Sequence, residues 1–575
     1  MPLRTRLSRV TAALIAVPFT AALLLSACTL ADSEPPEQSI VRTTDPDAAL
    51  TVVAEQGEGA ASLAVSRALF DASPLVIIAA TGDAGGQELS ARAAIDLGVP
   101  VLVAPTGDPV GAASAGPAPA STGADDAEGA ARAVSAELER LGASSALVVG
   151  AVAALAEEDG GASIAVERVD ATADAIGEAS GIALGDPTAA DPSGFAAGVA
   201  AYGDDSMGST GDADTQAQES GSLSRPESAA PLTDTIALAV DSVDRIAPIA
   251  TARAAGVPVH LMPEGITNPQ ATPSAIDALH ASAASRTLAI GAAFDAEPAL
   301  DWKVRAARSG FQLPGGGQLV FDQHQFVALY GTPSTSVLGV LGEQDVAGSV
   351  QRAREIAAPY QALTDRTVVP MFEIIATVAA GQAGPDGNYS NELSVESLRP
   401  LIDAAAEAGI YVVIDLQPGR TDFLTQAKQY EALLALPNVG LALDPEWRLE
   451  PDEVHMRQIG SVSAAEVNSV VTWLADLTNE RGLPQKMFVL HQFRLDMITD
   501  RDTLDVSRPE LALLIHVDGL GSQPAKQATW EALMRDAPAG LHWGWKNFYD
   551  EDLPMLTPEQ TMRDVSPVPD LVTYQ

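Results

Sequence analysis

The stretch Ile410-Tyr-Val-Val-Ile-Asp-Leu-Gln417 and the next apolar run, Val439-Gly-Leu-Ala-Leu-Asp-Pro-Glu446, share one plan: an aliphatic core that ends on a carboxylate. A short run that is apolar on both alternating faces reads as a strand of a parallel sheet covered by helices. Residues 422–436 between them have helical spacing, as do 350–364, 395–408 and 464–480. Working outward, further strands are expected at 326–330, 368–375, 487–491, 511–517 and 541–545, with 336–341 as the candidate eighth. Residues 318–575 have the usual length of a (β/α)8 barrel, about 250 residues. Because the strand ends, rather than one Gly-rich loop, carry the polar groups, a TIM-barrel-like domain is favoured over an open doubly wound sheet.

In a closed barrel the carboxyl ends of all strands meet at one mouth, so residues distant in sequence share a site. Those ends are Tyr330, Glu373, Asp415 with Gln417, Asp444 with Glu446, His491 with Gln492, His516 with Asp518, and Trp543, Trp545 and Lys546. Five of the seven His, five of the six Trp and seven of the eight Tyr follow Gly310. Ligand pockets draw on such side chains and an Ala-Val scaffold does not, so function is expected in this half.

At the level of strand pattern and the segment Leu443-Asp444-Pro445-Glu446-Trp447, the C-terminal half resembles the barrel glycoside hydrolases and their inactive relatives. Glycoside cleavage needs one carboxyl that holds a proton and one that stays ionised. Glu446 is the expected general acid, with Asp444 or Asp415 as partner. A strand continuing through Asp444 and Glu446 would put both on one side, and the neighbouring Trp447 and Arg448 would push their pKa values apart. Tyr330, Glu373, Trp447, His491, Gln492, His516, Asp518, Trp543, Trp545 and Lys546 are the expected substrate contacts, with Tyr549 as a further stacking ring. Trp473 and Trp530 are assigned to helix packing. A metal-dependent hydrolase is the rival enzyme reading, with His491, His516, Asp518 and His542 as donors. No His-x-His or His-x-x-x-His pair supports it, so no metal and no cofactor is assigned. The third reading is a noncatalytic envelope-binding or scaffold protein. Neither a phosphate-binding Gly-x-x-x-x-Gly-Lys loop nor a Gly-x-Ser-x-Gly elbow occurs in the barrel half.

The first half alternates short β-branched runs with Ala-rich helical stretches, giving repeated α/β units with parallel sheets over 49–200 and 231–310. Two helix-Gly-Val-Pro-Val junctions, at Gly98 and Gly256, match most closely. The loop Thr81-Gly-Asp-Ala-Gly-Gly-Gln-Glu-Leu89, these junctions and Val148-Val-Gly-Ala151 resemble the type 2 cell-wall-binding repeat family over roughly residues 50 to 310. That resemblance implies noncovalent attachment to an envelope glycan or polymer. The loop lacks the family's Phe-Pro, and Val148-Val-Gly-Ala151 has one glycine where the family has two. Residues 201–230 are rich in Gly, Ser and Asp and read as a disordered linker, and Pro314-Gly-Gly-Gly317 reads as a flexible joint.

At the amino terminus, Arg4, Arg6 and Arg9 precede an uncharged run over residues 10–25, which makes 1–27 an export signal. Leu25-Ser26-Ala27-Cys28 resembles the lipobox of bacterial lipoproteins and carries the chain's one cysteine. The resemblance implies lipidation of Cys28, residues 28–48 as a tether, and a membrane-anchored extracytoplasmic location. No later apolar run is long enough to span a bilayer. A formal charge of -43 repels phosphate backbones, so no nucleic-acid partner is expected. With five Lys among 33 basic residues and high Ala content, the composition suggests a GC-rich actinobacterial source.

Overall fold

The computed structural model describes residues 40–107, 123–155, 164–185, 189–203 and 223–575. The export signal 1–27, Cys28, the tether up to residue 39 and linker residues 204–222 lie outside them. Among the described residues no helix is long and apolar enough to cross a membrane.

Two four-stranded parallel sheets make the first half. One orders Val101–Ala104, Leu75–Ala80, Ser145–Val149 and Ala165–Val169; the other orders Leu50–Val53, Arg286–Ile290, Thr235–Val240 and Val259–Met262. Leu50–Val53 comes first in the chain yet pairs with the sheet built from residues 235–290, so the two sheets are tied by sequence as well as by packing. Helices Ala84–Leu97 and Ile246–Ala254 lie against each other between the sheets and share one apolar core. The matched junctions end these two helices: Gly98 has φ 69° and Gly256 has φ 80°, left-handed conformations that close a helix cheaply only at glycine. The Asp83 side chain accepts from the Gly86 backbone N–H, so the 81–89 loop is built as a helix cap. Thr172 caps Ala173–Ser180 in the same way.

The second half is a closed eight-stranded parallel barrel. Its strands are, in chain order, His324–Gly331, Thr367–Ala379, Tyr411–Leu416, Val439–Leu443, Lys486–Gln492, Leu511–Val517, His542–Asn547 and Leu571–Tyr574. Closure comes from the first strand, which pairs with both the second and the last. The eighth strand is thus the C-terminal Leu571–Tyr574. Residues 336–341, expected in that place, instead form parts of two 3-10 turns, Ser336–Leu338 and Val340–Gly342. Helices Val395–Ala408 and Ala464–Glu480 are capped by Ser394 and Ser463, whose hydroxyls accept the third backbone N–H along each helix.

Alternation along each strand sorts the side chains. Outward residues such as Phe372, Ile414, Leu443, Leu490, Ile515 and Val572 pack under the helices, while Phe326, Met371, Tyr411, Val413, Met487, Val489 and Leu514 fill the barrel interior. Leu313, Val320 and Phe321, in the segment entering the first strand, extend the interior core at its amino-terminal end. The Pro314–Gly317 segment differs from a loose joint. Leu313 N–H donates to the Gly317 carbonyl at 2.8 Å, Gly316 N–H to the Leu313 carbonyl at 2.8 Å, and Gly317 N–H to Gln312 Oε1 at 3.0 Å. The turn needs φ of 96°, 98° and 68° at Gly315, Gly316 and Gly317.

Candidate functional site

One residue pair beyond the apolar interior layer, the same alternation turns polar groups inward. Tyr330, Glu373, Asp415, Asp444, His491, His516, Lys546 and Thr573 come from all eight strands or their immediate ends. His491 and His516 stand directly opposite in register, as do Lys546 and Thr573. Glycine at 544 makes this possible, because a Cβ there would lie 3.1 Å from the Cδ2 of His516.

His491 organises the layer. Its Nε2 is 2.8 Å from Glu373 Oε1 and its Nδ1 is 3.0 Å from Asp518 Oδ2, while Asp415 Oδ1 lies 3.9 Å from Nε2. The Tyr330 hydroxyl donates to Asp415 Oδ2 at 2.8 Å, and Thr573 donates to Glu373 Oε2 at 3.4 Å. His516 Nδ1 is 3.6 Å from Glu373 Oε1. The Lys546 ammonium sits 3.6 Å from the centroid of the Tyr330 ring. Within this buried cluster, Asp415 Oδ1, Asp518 Oδ1 and both nitrogens of His516 lack a hydrogen-bond partner.

Above the layer opens a cavity of about 250 Å³ lined by Tyr330, Gln417, Asp444, Glu446, Trp447, Asp518 and Lys546, with Phe493, Leu520 and Phe548 as apolar wall. Asp444 and Glu446 reach it by a different route from the one expected. The strand stops at Leu443, and Pro445–Trp447 is a 3-10 turn in which the Glu446 N–H donates to Asp444 Oδ1 at 3.3 Å. Arg448 does not act on either carboxyl: its guanidinium pairs with Glu466 at 3.1 Å and 3.2 Å.

Burial and crowding divide the carboxyls. Burial raises Asp415 to about 6 against the pull of His491, with Glu373 adding to the rise. Burial also lifts Asp444 well above the usual range, helped by Asp415, Asp518 and Glu446. Glu446 is pushed up to about 7, first by burial and then by the negative Asp518. For Glu373 burial also acts upward, but the facing His516 and His491 imidazoles together hold it well below the ordinary carboxylate value. Burial alone would depress His491; Glu373, Asp415 and Asp518 reverse that and raise it well above an ordinary histidine. His516, by contrast, is lowered by burial.

Of the residues picked from sequence, Tyr330, Asp444, Glu446, Trp447, Asp518 and Lys546 line the cavity, and Glu373, Asp415, His491 and His516 form its floor. Gln492 faces away from it, donating to the Arg494 carbonyl and accepting from Arg501. Trp543 and Trp545 also point outward and pack on Trp530, with centroids 6.0 Å and 5.7 Å apart, so neither is a sugar platform. His542 stands at the amino end of its strand, bonded to Asp570 at 3.1 Å and stacked 4.2 Å from Phe321, remote from the other histidines. Sequence reasoning missed Phe493, Phe548, Thr573 and Gln575. The first two directly follow the Gln492 and Asn547 strand ends, a usable signal; Thr573 lies in the unrecognised eighth strand and Gln575 directly follows it.

No family model matches the chain and no curated protein matches it. Among solved structures it is similar to Cwp6 from Clostridium difficile, at 11% identity over 79% of this chain and 66% of that one, with a TM-score of 0.27. The chain therefore spans just under two thirds of that structure's length, and the functional reading rests on the geometry of the mouth.

Proposed function

We propose that this is an extracytoplasmic envelope protein, held at the membrane by lipid on Cys28, whose barrel hydrolyses a glycosidic bond in an envelope glycan. The supporting observation is the cavity itself, where Glu446, Asp444 and Asp518 converge beside the Trp447 ring. Glu446 is the general acid. It is half-buried, and its raised pKa lets it carry a proton near neutrality. Asp518 is the ionised partner. Its side chain lines the cavity, and although burial acts upward, the His491 hydrogen bond to Oδ2 at 3.0 Å holds its carboxyl below the usual value. Asp444 and Asp415, the partners expected from sequence, are less suited: burial favours their neutral forms, and Asp415 lies beneath Tyr330 rather than on the cavity wall. Lys546 and Gln417 supply donors for hydroxyls, and Trp447 a face for the ring.

The test uses the full chain made soluble by Cys28→Ser, assayed for reducing ends released from isolated cell-envelope glycan. Wild-type barrel residues should release them, and Glu446→Gln should lower kcat by at least about 100-fold, the usual share of a general acid, while glycan binding persists. Binding without release by the unsubstituted barrel, on envelope and plant glycans alike, would leave the noncatalytic reading in its place.

A further inference from the structure

We infer that the floor of the barrel mouth is a divalent transition-metal site formed by Glu373, His491 and His516, with Asp415 Oδ1 as the fourth ligand. The inference goes beyond the glycosidase reading and does not depend on it. The ligand atoms of Glu373, His491 and His516 all lie within 4.8 Å of one another. A tetrahedral ion with bonds of about 2.0–2.1 Å separates its ligand atoms by about 3.3 Å. The observed spacings bracket that edge: 2.8 Å for His491 Nε2 to Glu373 Oε1, 3.6 Å for His516 Nδ1 to Glu373 Oε1, and 3.9 Å for His491 Nε2 to Asp415 Oδ1.

Three further features are those of a metal centre rather than of a hydrogen-bonded core. The second nitrogen of His491 is held by the Asp518 carboxylate, the outer-shell arrangement that orients a ligating imidazole. Glu373 Oε2 is held by Thr573, and Asp415 Oδ2 by the Tyr330 hydroxyl, so each carboxylate keeps its other oxygen for the centre. The third feature is what is left over. Asp415 Oδ1 and His516 are fully buried, and neither Asp415 Oδ1 nor any nitrogen of His516 has a hydrogen-bond partner. Buried polar atoms are rarely left so, and a cation between them would take up Asp415 Oδ1 and His516 Nδ1. Two imidazole nitrogens and two carboxylate oxygens suit zinc or its first-row neighbours, not calcium or magnesium, which prefer all-oxygen shells.

The experiment is a titration of the chelator-treated Cys28→Ser chain with Zn2+ by calorimetry and with Co2+ by visible absorption. One equivalent should bind, Co2+ should give the intense d–d bands of a tetrahedral site, and the thermal midpoint should rise with metal. The isosteric Glu373→Gln and the separate His516→Gln should each weaken binding at least tenfold, with folding checked by circular dichroism. Failure of the unsubstituted barrel to take up either ion at millimolar concentration, or uptake unchanged in both variants, would overturn the assignment. Neither outcome bears on reducing-end release by Glu446, so the two proposals fail separately.

Discussion

Glu446 faces Asp518, Asp444, Lys546 and His491, and its protonation governs the proposed reaction. A general acid must start protonated, and burial with Asp518 raises this one to about 7. In a pH–rate profile kcat/KM should therefore fall as pH rises through about 7. In Asp518→Asn, which lacks the catalytic partner and should be inactive, the Glu446 carboxyl followed by carbon-13 NMR should titrate at lower pH, because a charge that favours its proton is gone. A second expectation concerns Gly544. An added methyl would meet Leu514 Cδ2 at 3.0 Å and His516 Cδ2 at 3.1 Å inside a packed barrel. Gly544→Ala should cost about 1–3 kcal/mol in a denaturant titration, the usual range for overpacking. At this scale the sequence was legible wherever a polar residue ended an aliphatic run, as at Asp415 and His491. It misled at Gln492, Trp543 and Trp545, since one step along a strand reverses the face and only the register tells which residue points inward.

The elements depend on one another through closure. Leu571–Tyr574 joins the first and seventh strands and buries Leu571, Val572 and Tyr574. Deleting residues 571–575 would expose two strand edges at once. The truncated chain should elute as aggregate or as an expanded species in size-exclusion chromatography and lose its near-ultraviolet dichroism. This strand escaped notice because four residues at a chain end, two of them Thr and Tyr, carry no periodicity to count. Helices Val395–Ala408 and Ala464–Glu480 were readable from their apolar spacing, and their starts coincide with Ser394 and Ser463, whose side chains accept backbone N–H groups of the first turn.

Across the whole molecule, side chains pin the two halves together. Trp302 Nε1–H donates to the Leu483 carbonyl at 3.1 Å, and Arg305 grips Asn479 through two bonds of 2.8 Å. Gln485 N–H donates to the Gln318 carbonyl, and Val320 N–H to Gln485 Oε1, each at 3.0 Å. Trp302 is almost fully buried, so Trp302→Ala should cost about 3–5 kcal/mol and split a single calorimetric transition into two as the halves uncouple. Nothing in the sequence disclosed these pins, which join residues some 170 positions apart. All of them lie where chain enters the barrel strands, the end opposite the cavity. Residues 40–43, where the described chain begins, also belong to the first half, bridging to Glu227 and pairing with Ala72. With the lipid proposed on Cys28, the leash would enter through the first half, leaving the opening on the side of the barrel away from that attachment.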